Sequence, residues 1–153
     1  MKTIIGLGNP GKNYENTRHN AGVMLVYSLQ STAHNKFKLH KSDKFMNNSG
    51  EFVKSLATYY GLQTTDLYIA HDDLDIRLGE YKITKTAPKL HNGILDINEK
   101  LKSEDYFKIR IGVDNRDQFN RIPGEAYVLQ KFTDEELKIL KSVFEKIAQE
   151  LNG

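Results

Sequence analysis

Residues 4–22 read IIGLGNPGKNYENTRHNAG, and their reading decides the fold. Ile4 and Ile5 are β-branched and stand just before Gly6, as the end of a buried strand does. Gly6, Gly8 and Gly11 free the backbone and admit a close neighbour. Pro10 fixes one φ among them, so the loop is stiff as well as open. Thr17, Arg18, His19 and Asn20 gather polar groups at a helix start. Ala21, Met24, Leu25, Ser28 and Leu29 then follow at helical spacing. Strand, glycine loop and helix in this order predict an α/β protein.

Gly6-x-Gly8-x-x-Gly11 formally matches the dinucleotide-binding fingerprint. That fingerprint needs a helix opening at the third glycine and an acid about 20 residues on. Here residues 12–17 are the loop-like KNYENT, and residues 26–33 (VYSLQSTA) contain no acid. Nicotinamide or flavin binding is therefore set aside. A lone histidine at a helix start is commonly a cap. With a pKa near 6.5, His19 is also the side chain best suited to take a proton near neutral pH.

The chain has 153 residues, which favours one domain with one core. Hydrophobic residues make up 39%, yet they fall in periodic blocks, which argues against disorder. There is no cysteine, so neither a disulfide framework nor a thiolate metal site is expected. This composition fits a reducing cytoplasm. No apolar run approaches the ~18 residues of a membrane span, and MKTIIGLG has no signal-peptide apolar region. Net charge is only +2, so any contact with nucleic acid must come from a local basic patch.

The basic stretch 31–44 holds one short strand candidate, with Phe37 and Leu39 alternating with lysines. The His34/His40 pair lacks the spacing and company of a metal site. Phe45-Met46-Asn47-Asn48-Ser49-Gly50 precedes a helix carried by Phe52, Val53, Leu56, Ala57 and Tyr60. Asn48 and Glu51 have capping-box spacing, and Gly61 closes the helix. Leu67–Ala70 reads as a buried strand with His71-Asp72-Asp73 at its carboxyl end, where sites form in open α/β sheets. Asp72, Asp73 and Asp75 could suggest Mg²⁺, but a carboxylate cluster alone is weak evidence. A half-buried strand lies within 79–86, a helix over 94–101 and a core strand over 106–113. A polar loop covers 114–124. Thr133 and Glu136 form a second capping box before the strongest helical stripe, Leu137 to Leu151. Alternating strands and helices predict a single-domain α/β/α sandwich over residues 1–153, with a mixed, mostly parallel sheet.

GLGNPG, Tyr14, TRHNAG, Phe-Met-Asn-x-Ser-Gly at 45–50, His-Asp-Asp at 71–73, His-Asn-Gly at 91–93 and the Arg110-Ile-Gly strand together resemble the bacterial-type peptidyl-tRNA hydrolase family. The resemblance spans most of the chain. It implies an esterase that cleaves peptide from the 3′ end of tRNA, with His19 as catalytic base and Asp72 as its carboxylate partner. Asn9, Tyr14, Asn47 and Asn92 would hold the substrate, Asn47 facing the peptide and Asn92 steadying water or oxyanion. Arg110 with Lys82 or Lys85 would hold tRNA phosphate; read by itself, Arg110 equally suits balancing a neighbouring acid. No metal and no organic cofactor are implied, and a cytoplasmic monomer is expected. The chain departs from the family in two places. An extra strand pair is missing between the first helix and Asn47, so a trimmed sheet edge is expected. Ala87-Pro88-Lys89-Leu90 replaces a glycine-rich loop, which should be stiffer. Those departures keep a rival open: a hydrolase-like module that binds RNA without cleaving it.

Overall fold

A computed structural model describes residues 1–33, 36–119 and 121–153. His34 of the His34/His40 pair lies outside them. Five strands form one sheet: β1 (Thr3–Gly6), β2 (Lys38–Lys41), β3 (Leu67–Arg77), β4 (Tyr81–Thr84) and β5 (Phe107–Asp114). Their order is β2-β1-β3-β5-β4, with β4–β5 antiparallel and the other pairs parallel. The main helices are α1 (Ala21–Thr32), α2 (Ser49–Tyr60), α3 (Asn92–Leu101), the short α4 (Gly124–Tyr127) and α5 (Asp134–Asn152). The mixed, mostly parallel sheet between helical layers is the architecture expected from the sequence.

Side chains alternate across a strand, so neighbouring residues of β1 serve two cores. Ile4 packs with Leu25, Leu29, Ile109, Leu140 and Ile147 beneath α1 and α5. Ile5 packs with Val53, Ile69, Ile94 and Ile97 beneath α2 and α3. Among the described residues between α1 and Asn47, the strand is the four-residue β2, which forms one edge of the sheet.

Two local expectations change. The Asn48 side chain makes no cap bond at the start of α2. Instead Asp96 of α3 accepts from the Gly50 amide at 2.7 Å, a cap delivered from another helix. β3 does not stop at Ala70 but runs to Arg77, because β5 continues to pair with it. β1 has by then ended: Gly6 is opposite Ala70, and Leu7 turns away with its amide on the Ala70 carbonyl at 3.0 Å. Residues 71–73 are thus strand residues with β5 on one flank and no β1 partner on the other. The capping box of α5 is present as read, with Glu136 bonding the Thr133 amide at 2.8 Å and Thr133 Oγ1 the Glu136 amide at 3.1 Å.

The first turn of α1 lies directly on the sheet. The Val23 amide donates to the Leu7 carbonyl at 3.2 Å, and a Cβ on Gly22 would strike the Ala70 carbonyl oxygen. Only glycine permits this approach of backbone to backbone. Gly22→Ala should therefore destabilise the protein by about 1–3 kcal/mol, the usual cost of overpacking. Chemical denaturation checks this; an unchanged unfolding midpoint would show that the helix lifts away without cost.

Candidate active site

His19 sits in the single helical turn Arg18–Asn20 that leads into α1. That turn is clamped to the chain after α4 by three links. The His19 amide donates to the Val128 carbonyl at 2.8 Å, the Arg18 amide to the Gln130 carbonyl at 3.1 Å, and Thr17 bridges Lys131. Arg18 is buried and bonds the Tyr127 carbonyl and Gln130 Oε1, both at 3.2 Å, and Glu136 Oε1 at 2.8 Å. Its guanidinium lies 3.9 Å from the Tyr127 ring centre. The packed, charge-paired neighbour of His19 is what fixes the imidazole's origin. Sequence reading noted Arg18 only as a polar residue, since its partners lie more than a hundred positions away.

Asp72 is buried between two imidazoles. Its Oδ2 lies 2.7 Å from His19 Nδ1 and its Oδ1 2.9 Å from His91 Nε2. His91 is the helix cap of α3, and its Nδ1 accepts from the Ile94 amide at 3.2 Å. That bond places the His91 proton on Nε2, where it is donated to Asp72. Sequence reading singled out Asn92 in this block and passed over His91. The available signal was its place three residues before the Ile94 amide, the spacing of a capping side chain.

His71, also buried, donates Nδ1–H to the Asp72 carbonyl at 2.7 Å. Its Nε2 has no hydrogen-bond partner among the described residues, and its ring centre is 4.8 Å from that of His91. Burial, with lesser help from His91, pushes the His71 pKa down to about 3, so it is neutral. For His19, burial alone would lower the pKa, but the charge and hydrogen bond of Asp72 outweigh it and raise the value. Burial likewise opposes the charged form of Asp72, yet the two imidazoles hold its pKa well below the usual carboxylate range.

The amides assemble beside this centre. Asn9 and Asn20 are bonded reciprocally: the Asn9 amide donates to Asn20 Oδ1 at 2.7 Å and Asn20 Nδ2 to the Asn9 carbonyl at 3.0 Å. Asn9 Oδ1 accepts the Met46 amide at 2.8 Å, which leaves Nδ2 as the Asn9 donor outside these bonds. Asn47 follows Met46 and is exposed; Asn92 follows His91 and is exposed. A Cβ on Gly93 would lie 2.7 Å from Met46 Sδ and 3.0 Å from His91 Cε1, so the two segments meet there. Tyr14 is half-buried and packs edge-on against Phe45, with ring centres 5.9 Å apart.

Arg110 has an acidic neighbour on the adjacent strand. It is buried, and its Nε donates to Asp73 Oδ2 at 2.7 Å. It balances a neighbouring acid through Nε, the other option its residue type allowed, and this bond leaves its two Nη groups uncommitted to Asp73. Lys82 is exposed on β4. Lys85 is half-exposed and 2.9 Å from Asp105. The 86–90 segment is tied at both ends: buried Lys108 donates Nζ to the Lys85 carbonyl at 2.8 Å, and the Lys89 amide donates to Asp75 Oδ2 at 3.2 Å.

His19, Asp72 and His91 bring their ligand atoms within 4.8 Å of one another, a set with the composition of a metal site. The ring nitrogens nearest the carboxylate are both engaged with it. A metal ion there would have to displace those two hydrogen bonds. No helix among the described residues is long and apolar enough to cross a membrane.

Fold and site define an α/β protein with a carboxylate buried between two histidines at the carboxyl edge of its sheet. The chain belongs to the peptidyl-tRNA hydrolase family, whose family model matches residues 3–153. The peptidyl-tRNA hydrolase of Mycoplasma mycoides is 38% identical, over 94% of this chain and 87% of the relative. That of Bacillus subtilis is 36% identical over 95% and 87%. The crystal structure of the Acinetobacter baumannii enzyme superposes with a TM-score of 0.79 at 27% identity, covering 95% of this chain and 83% of that one.

The pKa directions make a stability statement. An unfolded histidine titrates near 6.5, whereas folded His71 resists protonation to about 3. As pH falls from 6.5 towards 3 the unfolded state binds the extra proton, and stability is lost. His19 works in the opposite sense, since its raised pKa favours the folded state on protonation. Denaturant titrations at pH 7 and pH 5 should show a smaller acid loss for His71→Asn than for the parent protein. An equal loss would place the acid sensitivity elsewhere.

Proposed function

We propose that this chain hydrolyses the ester joining peptide to the 3′ end of tRNA, with a water activated by His19. The observation that carries the mechanism is the 2.7 Å bond between His19 Nδ1 and Asp72 Oδ2. That bond holds the Nδ1 proton and leaves Nε2 to receive one. His19 Nε2 takes a proton from water as the oxygen attacks the ester carbonyl. Asp72 stays ionised and stabilises the imidazolium. When the tetrahedral intermediate collapses, His19 returns the proton to the departing ribose oxygen. The products are free tRNA and a peptide carboxylic acid, which loses the remaining water proton to solvent and leaves as the carboxylate.

His91 shares the carboxylate and acts as a positioning residue for Asp72. Asn9 through Nδ2, with Asn47, holds peptide groups, an amide being able both to donate and to accept. Asn92, beside His91, steadies the water or the developing oxyanion. Tyr14, against Phe45, borders the substrate. Arg110, with Lys82 opposite it on β4 or Lys85 nearby, holds tRNA phosphate. A module that only binds RNA has no need of an ionised carboxylate buried between two imidazoles, and this favours the enzyme over that rival. A cytoplasmic monomer acting without a metal belongs to the same reading.

His19→Ala should cut turnover of peptidyl-tRNA by about 10²–10⁴-fold, the usual contribution of a general base, in a protein that remains folded. Asp72→Asn should lower kcat and bring the acid limb of kcat down in pH, because the charge that raises the His19 pKa is gone. A folded His19→Ala protein with normal turnover would end this mechanism. Activity should survive a chelator; loss restored only by added metal would assign His19, Asp72 and His91 to an ion instead.

A further inference from the structure

β2 is one edge of the sheet, and the proposed reaction makes no use of it. Its inner side is taken by β1. The Lys38 amide donates to the Lys2 carbonyl at 3.0 Å and the Ser42 amide to the Gly6 carbonyl at 2.9 Å. In a parallel pair alternate residues turn both backbone groups to the partner. Lys38, His40 and Ser42 therefore face β1, while the amides and carbonyls of Leu39 and Lys41 face outward. Among the described residues, those outward groups have no backbone partner.

Side chains alternate between the two faces of the edge. On one face Leu39 packs against the core beneath α1, and Lys41 Nζ lies 3.7 Å from the Tyr27 ring centre. On the other, the His40 ring is 5.7 Å from that of Tyr60, the last residue of α2. Tyr27 and Tyr60 are 57% and 51% exposed, so an aromatic ring stands open on each side of the edge. Residues 36–44 hold four lysines against one aspartate, whereas the whole chain nets only +2. That short stretch alone carries more net positive charge than the entire chain.

A row of unpaired backbone groups is a template for another strand. Charge and backbone together select the occupant. A second copy would set lysine against lysine across the new pair, which is destabilising, and lysine on an edge is a usual guard against self-pairing. A nucleic acid would neutralise the lysines but brings no peptide groups for Leu39 and Lys41. An acidic extended segment meets both demands: its backbone continues the ladder and its carboxylates face the lysines.

We propose that β2 takes an extended acidic segment of a partner protein as a sixth strand. The segment pairs with the outward amides and carbonyls of Leu39 and Lys41, sets its acids against Lys38, and lays its alternate apolar side chains beside Leu39 and Tyr27. This surface lies two strands from Asp72, about 10 Å at the usual spacing, and the proposal does not depend on the ester reading.

The probe is a ten-residue peptide alternating glutamate with valine, capped at both ends and titrated into the full chain. Amide exchange with solvent, read by NMR, should slow at Leu39 and Lys41 by about tenfold when about nine-tenths of the protein is bound, with Lys38 and Ser42 unchanged. This readout needs no variant. The K38E/K41E protein should bind the peptide about tenfold more weakly and should gain affinity for the matching lysine–valine peptide, which the parent should not bind. K41P, which removes an outward amide as well as a charge, should bind about fivefold more weakly than K41Q, which removes the charge alone. No binding by the parent up to about 1 mM peptide overturns the proposal, as does binding without protection at Leu39 and Lys41. Oligouridylate that binds through Lys38 and Lys41 and excludes the peptide would give the edge to nucleic acid and overturn it too. So would a concentration-dependent dimer in sedimentation that K41P abolishes, since the occupant would then be a second copy.

Discussion

A carboxylate buried between two imidazoles organises this molecule. Taking an ionised group out of water is costly unless it is paired and hydrogen-bonded. Asp72 has both oxygens occupied, one by His19 from the loop after β1 and one by His91 from the cap of α3. The two rings arrive from different segments, so the fold must bring both into place before the carboxylate is satisfied. In return Asp72 governs the protons around it. It holds the Nδ1 proton of His19 and receives the Nε2 proton of His91, whose other nitrogen is committed to a backbone amide. With Nδ1 engaged by Asp72, Nε2 of His19 is the ring nitrogen not bonded to the carboxylate, and it is the one the proposed mechanism uses.

The space for this centre comes from unequal strand lengths. β1 ends at Gly6 and β3 runs on to Arg77, so residues 71–73 are supported by β5 on one side and open on the other. Strand backbone holds Asp72 more firmly than a loop would, while the missing β1 partner leaves room for the turn carrying His19. Further buried charges are arranged in the same manner. Arg18 meets Glu136, Arg110 meets Asp73, and Lys108 ends among the carbonyls of Lys85, Glu104 and Tyr106. Such pairs add little net stability compared with apolar packing, but removing one partner strands the other in the interior. Their constraint is geometric: Arg18 fixes the His19 turn, and Lys108 anchors the chain that leads to His91.

Legibility in the sequence followed the range of the interaction. The helix stripes, the α5 capping box and the strand at 106–113 were readable because their determinants are a few residues apart. The Asn48–Glu51 box had the right spacing and failed, since Asp96 from another helix serves the amide at Gly50. The end of β3 was misplaced because polar His71, Asp72 and Asp73 look like a loop, whereas pairing with β5 makes them strand. For Arg110 the sequence left a phosphate or a carboxylate equally suited to its guanidinium, and the fold puts Asp73 on its Nε.

By itself the sequence determined the α/β alternation, the strand–glycine-loop–helix opening and, through family-like blocks, His19 and Asp72 as a pair. Local periodicity and short motifs suffice for these, because hydrophobic spacing and backbone preferences act over a few residues. Tertiary structure alone decided that His91 shares the carboxylate and that Arg110 is paired with Asp73. Each depends on a partner distant in the chain, and the charge or tautomer of a buried group is set by what lies within a few ångströms of it, not by its place in the sequence.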